Sequence, residues 1–277
     1  LLNQDIFALN QQPKAPAPQR LTPIVFDIEL LSGYRQDNLA FNLYSDTDRA
    51  SYDDQSSVAY IFQSDLILGA TIYNHGYLNV MGGYGLLVNN DATYTSTLVT
   101  ANVVTKSTTS THSGYAADWD VMGGGYFNVY KDYIRIAPEL GYAWKRVKAN
   151  SLYAEKFAAP YVGGRLDLQF SKKHNINLVG YYDYFYCIAR TDINYTYIPI
   201  AEYYNQNAPI TGGSIYAYKA GAYLTYAPYK HWSFGLKWEM FHEQTQPQTI
   251  QVNYFATGDE SMTWTSQVAL FSVDYSF

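Results

Sequence analysis

Residues 132–145 read DYIRIAPELGYAWK. One face of this stretch carries Ile134, Ile136, Leu140, Tyr142 and Trp144. The other carries Arg135, Ala137, Glu139, Gly141 and Lys145. A period of two is the mark of a β-strand with two unlike sides. Strands of water-soluble sandwiches run about five or six residues. This alternation runs well past that, into the range of about 9–11 tilted residues that a strand needs to cross a bilayer.

The same pattern recurs along the chain. Ten alternating segments lie near 24–45, 56–73, 77–91, 114–130, 133–149, 153–171, 174–192, 213–227, 231–249 and 261–277. Short turns are expected at 74–76, 131–132, 172–173 and 228–230. Long polar loops are expected at 46–55, 92–113, 193–212 and 250–260, with a tighter connection near 150–152. Alternating short turns and long loops predict an all-β fold: a transmembrane, antiparallel, up-and-down β-barrel of about ten strands. An even strand number brings both ends of the wall to the short-turn side. In a bacterial outer membrane that side is the periplasm, and the long loops are extracellular. Residues 1–22 include the proline-rich QQPKAPAPQR and are expected to form a flexible periplasmic segment, with the barrel spanning 23–277.

Composition agrees. Of 277 residues 30 are Tyr, against 13 Phe and 5 Trp. Tyrosine pairs an apolar ring with a polar tip and suits an oil–water boundary. No apolar run is long enough for a transmembrane helix. The net charge of −6 carries no basic tract, so nucleic acid is not an expected partner. The single cysteine, Cys187, offers neither a disulfide nor a Cys/His cluster, and neither metal nor cofactor is expected. Phosphate-loop, zinc-protease and nucleophile-elbow motifs are missing from the sequence.

Strand parity separates wall from lumen. Phe26, Ile28, Leu30, Leu66, Leu68, Leu166, Leu168, Phe234, Leu236, Phe271 and Val273 belong to the lipid-facing belt. The opposite parity carries Asp27, Glu29, Arg35, Asp65, Asp118, Asp120, Arg135, Glu139, Lys145, Arg165, Asp167, Asp183, Lys219, Lys237, Glu239 and Asp274. An Arg or Lys facing lipid at the midplane costs roughly 2–4 kcal/mol, so these charges belong inside. Both signs are present, which favours a salt-bridged interior over a single-sign selectivity ring. The last strand, QVALFSVDYSF (267–277), must pair with the first, because a closed barrel has no edge. Its terminal Phe277 resembles the signal read by the barrel-insertion machinery.

Several stretches, taken in order, resemble the omptins, ten-stranded outer-membrane proteases. They are LSGYRQDNL (31–39), YAADWDVMGGGYF (115–127), KFAAPYVGGRLDLQF (156–170), GAYLTYAP (221–228) and the closing SVDYSF. A looser resemblance links the chain to Tyr-rich, porin-like outer-membrane proteins of chlamydia-like bacteria. The omptin resemblance implies catalytic groups at an Asp-Asp pair ending the third strand and an Asp-x-His ending the seventh. Here Asn89 and Asp91 stand at the first pair, and Asp192 and Asn194 at the second. One acid and the histidine are replaced, and Asn is no general base near neutral pH. The scaffold is thus implied without the protease chemistry. The alternative, an altered omptin-like endopeptidase, would draw on Asp91, Asp192 and the loop residue His112.

The resemblance also implies a lipopolysaccharide site on the outer wall. Lys156 stands at the family's basic position, and Arg146, Lys148 and Arg190 share its outward parity. The expected function is therefore a Gram-negative outer-membrane barrel. It would act in surface interaction or porin-like passage of small solutes, its lumen largely filled by charge. Lipid and lipopolysaccharide are its expected partners, with an extracellular ligand at loops 92–113 and 193–212.

Overall fold

The computed structural model describes residues 24–45, 51–73, 75–98, 103–131, 133–149, 153–171, 175–185, 192–195, 215–245, 248–253 and 256–277. Every regular element among them is a strand. They are β1 (Ile24–Ser45), β2 (Ser51–Ile72), β3 (Gly76–Leu98), β4 (Val103–Thr111), β5 (Tyr115–Gly125), β6 (Phe127–Tyr130) and β7 (Ile134–Ala149). The second half adds β8 (Tyr153–Ser171), β9 (Ile176–Phe185), β10 (Asp192–Tyr195), β11 (Ile215–Tyr226), β12 (Trp232–Thr245), β13 (Gln248–Asn253) and β14 (Ala256–Ser276).

Ten of these close the wall in the order β1-β2-β3-β5-β7-β8-β9-β11-β12-β14, and β14 returns to β1. Every neighbouring pair is antiparallel. The closing seam is long, running without interruption from Asp27↔Ser276 to Ser45↔Gly258. The amide of Phe277 adds a hydrogen bond to Phe26 O at 2.9 Å. Ile24 and Phe277 lie at the short-turn end. Three of the short turns are closed by a residue in the left-handed region: Tyr73, Lys131 and Asn175, with φ of 50°, 47° and 47°. Such residues give hairpins the right twist.

Sequence and structure differ at the long-loop end. Residues 51–55 are strand. So are most of 92–113, where β3 continues to Leu98 and folds back as β4. β13 and the start of β14 replace much of the expected 250–260 loop by a hairpin. Runs such as TYTSTL (93–98) and VVTKSTTST (103–111) are polar but β-branched. They have strand propensity without the apolar alternation of a buried face. The segment 1–22, Arg190 and 196–212 of the third expected loop lie outside the described residues.

The outward face is an apolar belt. Leu30, Leu140, Leu236 and Phe170 are each at least 60 % exposed. Along the middle of the ten wall strands, no described outward position holds a charge. A water-soluble monomer seldom shows a contiguous apolar patch above a few hundred Å², whereas this one encircles the molecule.

Inside, small residues make room for large ones on the next strand. A Cβ on Gly141 would lie 2.2 Å from Cζ of Tyr161, and one on Gly221 2.4 Å from Cζ of Tyr181. These glycines let two tyrosines lie flat across the narrow lumen. Gly141→Val should therefore displace Tyr161 and cost about 1–3 kcal/mol. Tryptophan-fluorescence unfolding in urea, with Gly141→Ala as the milder step, would measure it. Equal midpoints for parent and Val variant would contradict this packing.

Candidate functional site

The lumen holds two stacked layers. Nearer the short-turn end and the middle is a network of charge. Arg35 Nε lies 2.9 Å from Asp37 Oδ1, and its Nη1 lies 2.6 Å from Asp118 Oδ2. Lys145 bridges Asp118 at 3.6 Å and Glu239 at 3.7 Å. Lys237 reaches Glu239 at 3.1 Å. Lys219 sits between Asp120 at 2.7 Å and Asp183 at 3.0 Å. Arg165 pairs with Glu139 at 3.6 Å, and Arg135 with Asp167 at 2.9 Å. Tyrosines fill the gaps. Tyr161 donates to Asp120 at 2.8 Å and Tyr181 to Glu239 at 2.7 Å, while Tyr77 donates to Glu139 and Tyr223 to Glu29. Gln63 donates to Asp65 at 2.7 Å, and Ser233 to Asp274 at 3.0 Å. Asp27 lies against Gly69, where a Cβ would come within 2.1 Å of its Oδ2. All sixteen charges assigned to the interior by parity point inward, and ten of them are fully buried.

Above this layer, toward the long-loop end, lies a plug that strand parity alone did not single out. Phe157, Phe185 and Phe241 meet edge to face, with centroids 5.0–5.8 Å apart. Trp264 adds to Phe241 at 5.3 Å. Leu39, Ile61, Leu87, Val147 and Met262 complete the cluster, and all of these residues are buried. The plug rests on the charges beneath it. Lys145 Nζ lies 5.2 Å from the Phe241 ring centre and the Arg35 guanidinium 5.9 Å from that of Trp264. A signal for it exists in the sequence. Phe157, Phe185, Phe241 and Trp264 share the inward parity of the charges on their own strands.

Among the described residues, two cavities lie below the plug. A polar cavity of about 710 Å³ opens at the short-turn end, lined among others by Arg135, Asp167, Asn177, His231 and Asp274. A second, of about 90 Å³, lies deeper among Glu29, Glu139, Tyr181, Lys219 and Glu239. That volume holds a few waters.

Two residues of the hydrolase reading, Asp91 and His112, lie outside the lumen. β3 carries a bulge at Val88: Tyr60 pairs with Asn89, and Ile61 pairs with Leu87. One extra residue reverses the parity of everything beyond it. Asn90 and Ala92 therefore face inward and are buried, while Asp91 is exposed on the outer wall. There Asp91 accepts from Ser110 Oγ at 2.7 Å and Asn89 Nδ2 at 3.1 Å. The positions that the resemblance implies for the first catalytic pair, Asn89 and Asp91, thus lie on the outward side of β3. His112 is also exposed, its Nδ1 3.2 Å from Val88 O. Asp192 is placed by its backbone alone, opposite Lys156 on β8.

The outer basic residues share one region. Arg146 and Lys156 are cross-strand partners on β7 and β8, and Lys148 is the next outward residue on β7. Arg146 stacks over Tyr115 at 5.6 Å. Among the described residues, no group of three or more His, Cys, Asp or Glu could hold a metal ion.

This architecture defines a class: a closed ten-stranded antiparallel barrel with an apolar exterior and a filled polar interior, the fold of outer-membrane barrels. Among solved structures, the outer membrane protease OmpT from Escherichia coli matches with a TM-score of 0.63 at 13% identity, covering 93% of this chain and 98% of that one. The beta domain of the Bordetella autotransporter BrkA (12% identity, 89% and 99% covered) and the transport unit of the autotransporter AIDA-I from Escherichia coli (13%, 94% and 92%) also align. Their TM-scores are only 0.31 and 0.33. At these identities the likeness is one of fold. No protein-family model matches the chain, and no curated protein matches it significantly.

Arg35 is the node on which the buried network turns. Removing it leaves Asp37 and Asp118 buried with their main counter-charge gone, at a cost of about 3–5 kcal/mol. Arg35→Met should lower the unfolding free energy by that amount, read as a fall in the urea midpoint. Adding Asp118→Leu should recover part of the loss, because it removes one of the two stranded carboxylates. A double variant less stable than Arg35→Met would refute this account.

Proposed function

We propose that this chain is a non-conducting, non-enzymatic barrel of a bacterial outer membrane that presents its long-loop end as an interaction surface. The observation that carries the reading is the sealed lumen. Phe157, Phe185, Phe241 and Trp264 meet directly above the Arg35–Asp118–Lys145–Glu239 chain of ion pairs. An apolar constriction resists wetting, and the charges below it are paired across the barrel, which supports a closed lumen. The apolar belt around the middle of the wall, without a charge at its described outward positions, supports a membrane location. The short-turn end, with Ile24 and Phe277, would then face the periplasm.

Purified protein in a planar bilayer is expected to give no stable conductance steps at moderate voltage. Replacing Phe157 and Phe241 together by Ser should raise leakage. Reproducible ohmic steps from the parent protein would establish the competing solute-passage reading.

The outer wall supports a lipid partner. Arg146, Lys148 and Lys156 project outward near the long-loop rim, where guanidinium and ammonium groups can pair with lipid phosphates. Lipopolysaccharide co-purifying with an Arg146→Ala/Lys156→Ala variant should fall several-fold relative to the parent. An unchanged ratio would remove this assignment and leave these residues as rim charge.

A further inference from the structure

The barrel wall does not stop at its rim. On one side it rises as a six-stranded sheet, β13-β14-β1-β2-β3-β4. A single row of cross-strand partners runs through it: Ile250, Gly258, Ser45, Ser51, Leu98 and Val103. Such a sheet has two edges, and they differ. β13 is six residues long, and its pairing with β14 is broken by a bulge between Gln251 and Asn253. Shortness and bulges are two of the devices by which proteins protect a sheet edge from pairing with other chains, and a lysine on the edge is another.

β4 is neither short nor bulged, and its one charged residue is Lys106. The strand is nine residues long, contains no proline, and pairs with β3 through nine consecutive positions without a register shift. Among the described residues β3 is its only strand partner. The next strand of the wall, β7, ends at Ala149. The ladder between β5 and β7 stops at Tyr115↔Lys148, before β4 begins. Among the described residues, no strand takes the place beside the far edge of β4, which presents a row of backbone donors and acceptors. Its sequence, VVTKSTTST, is rich in Thr and Val, residues suited to a pleated surface.

We propose that the open edge of β4 is a docking site for an extended strand of another polypeptide, added by main-chain pairing. The inference rests on reading the long-loop end as an interaction face, and it names the partner's chemistry. Backbone pairing selects an extended segment, and pockets or charges beside the edge select side chains at alternate positions. Here the outward side chains beside the vacancy are basic. Lys106 lies exposed on β4, and Arg146 and Lys148 point outward at the end of β7, below the vacant place. Asp91, an exposed acid on this face, is already held by Ser110 and Asn89. The guest strand thus carries acidic residues at its outward positions. A second barrel in the same membrane fits poorly. Two copies are related by an axis along the membrane normal, while antiparallel edge pairing requires an axis perpendicular to strands that tilt by about 35–45°.

The test uses the full chain in lipid nanodiscs and a fluorescent peptide the length of β4, alternating Glu with Thr or Val. Saturable binding by anisotropy is expected, together with slowed amide exchange in 103–111. Methylating alternate backbone nitrogens on the pairing edge of the peptide, or replacing its Glu by Lys, should each weaken binding at least about tenfold. Lys106→Glu should weaken it several-fold, with heat-modifiable gel migration confirming the fold. Equal binding of the methylated peptide would reduce the effect to charge adsorption and overturn the proposal. So would an absence of saturable binding at millimolar peptide, or amides of 103–111 fully protected before peptide is added, since the edge would then be covered by this chain or a second copy. None of these outcomes bears on the bilayer conductance, so a closed lumen and an open edge stand or fall separately.

Discussion

A strand whose outer face meets hydrocarbon has no water to satisfy its backbone, so every donor and acceptor must pair within the wall. The β1–β14 seam meets that constraint, and much else follows from it. Closure fixes which strands are neighbours. Neighbours fix the register, and register decides which residue of each alternating pair points into the lumen. The net result is that both signs of charge from strands far apart in sequence converge in one narrow space. Arg35 and Asp118, or Lys219 and Asp120, meet only because the sheet is closed.

The narrow lumen then imposes its own chemistry. Charges removed from bulk water are tolerable when paired and hydrogen-bonded. The network meets that need with chains of contacts in which Asp118, Glu239 and Lys219 each pair with two opposite charges. Tyrosines complete it, which gives a second use to a residue type first noticed as a candidate for the membrane boundary. Inward glycines such as Gly141 and Gly221 are the geometric complement, since a Cβ at either place would collide with the tyrosine lying over it. The plug above has a different character. Its aromatic rings exclude water, and they also cap Lys145 and Arg35. Seal and network are one packed unit, and a change in either is felt by the other.

Likeness to a protease scaffold does not by itself carry its chemistry, because fold and site are specified separately. The wall needs alternation, small inward residues and a seam. A hydrolytic site needs particular carboxylates and a histidine at the mouth. Here the residues at the matching positions differ in type, and the bulge at Val88 turns Asp91 to the outside. The same end of the barrel instead extends as sheet, with one guarded edge and one open edge.

Alternation with long repeats was enough to establish the strands, their approximate ends, the barrel and the sidedness of its charges. These properties depend on a period of two, which a sequence displays directly. Polar β-branched runs such as 93–111 looked like loops because strand propensity without an apolar face leaves no periodic signal. Parity past Val88 could not be followed, since an unpaired residue is defined by the partner strand and not by its own neighbours. Which cation meets which carboxylate, and that four inward aromatics form a seal, are likewise facts about distances between strands remote in sequence. The sequence by itself determined the wall, because each strand must present one face to lipid. Only the tertiary structure decided what the wall encloses, because the contents of a lumen are set by closure.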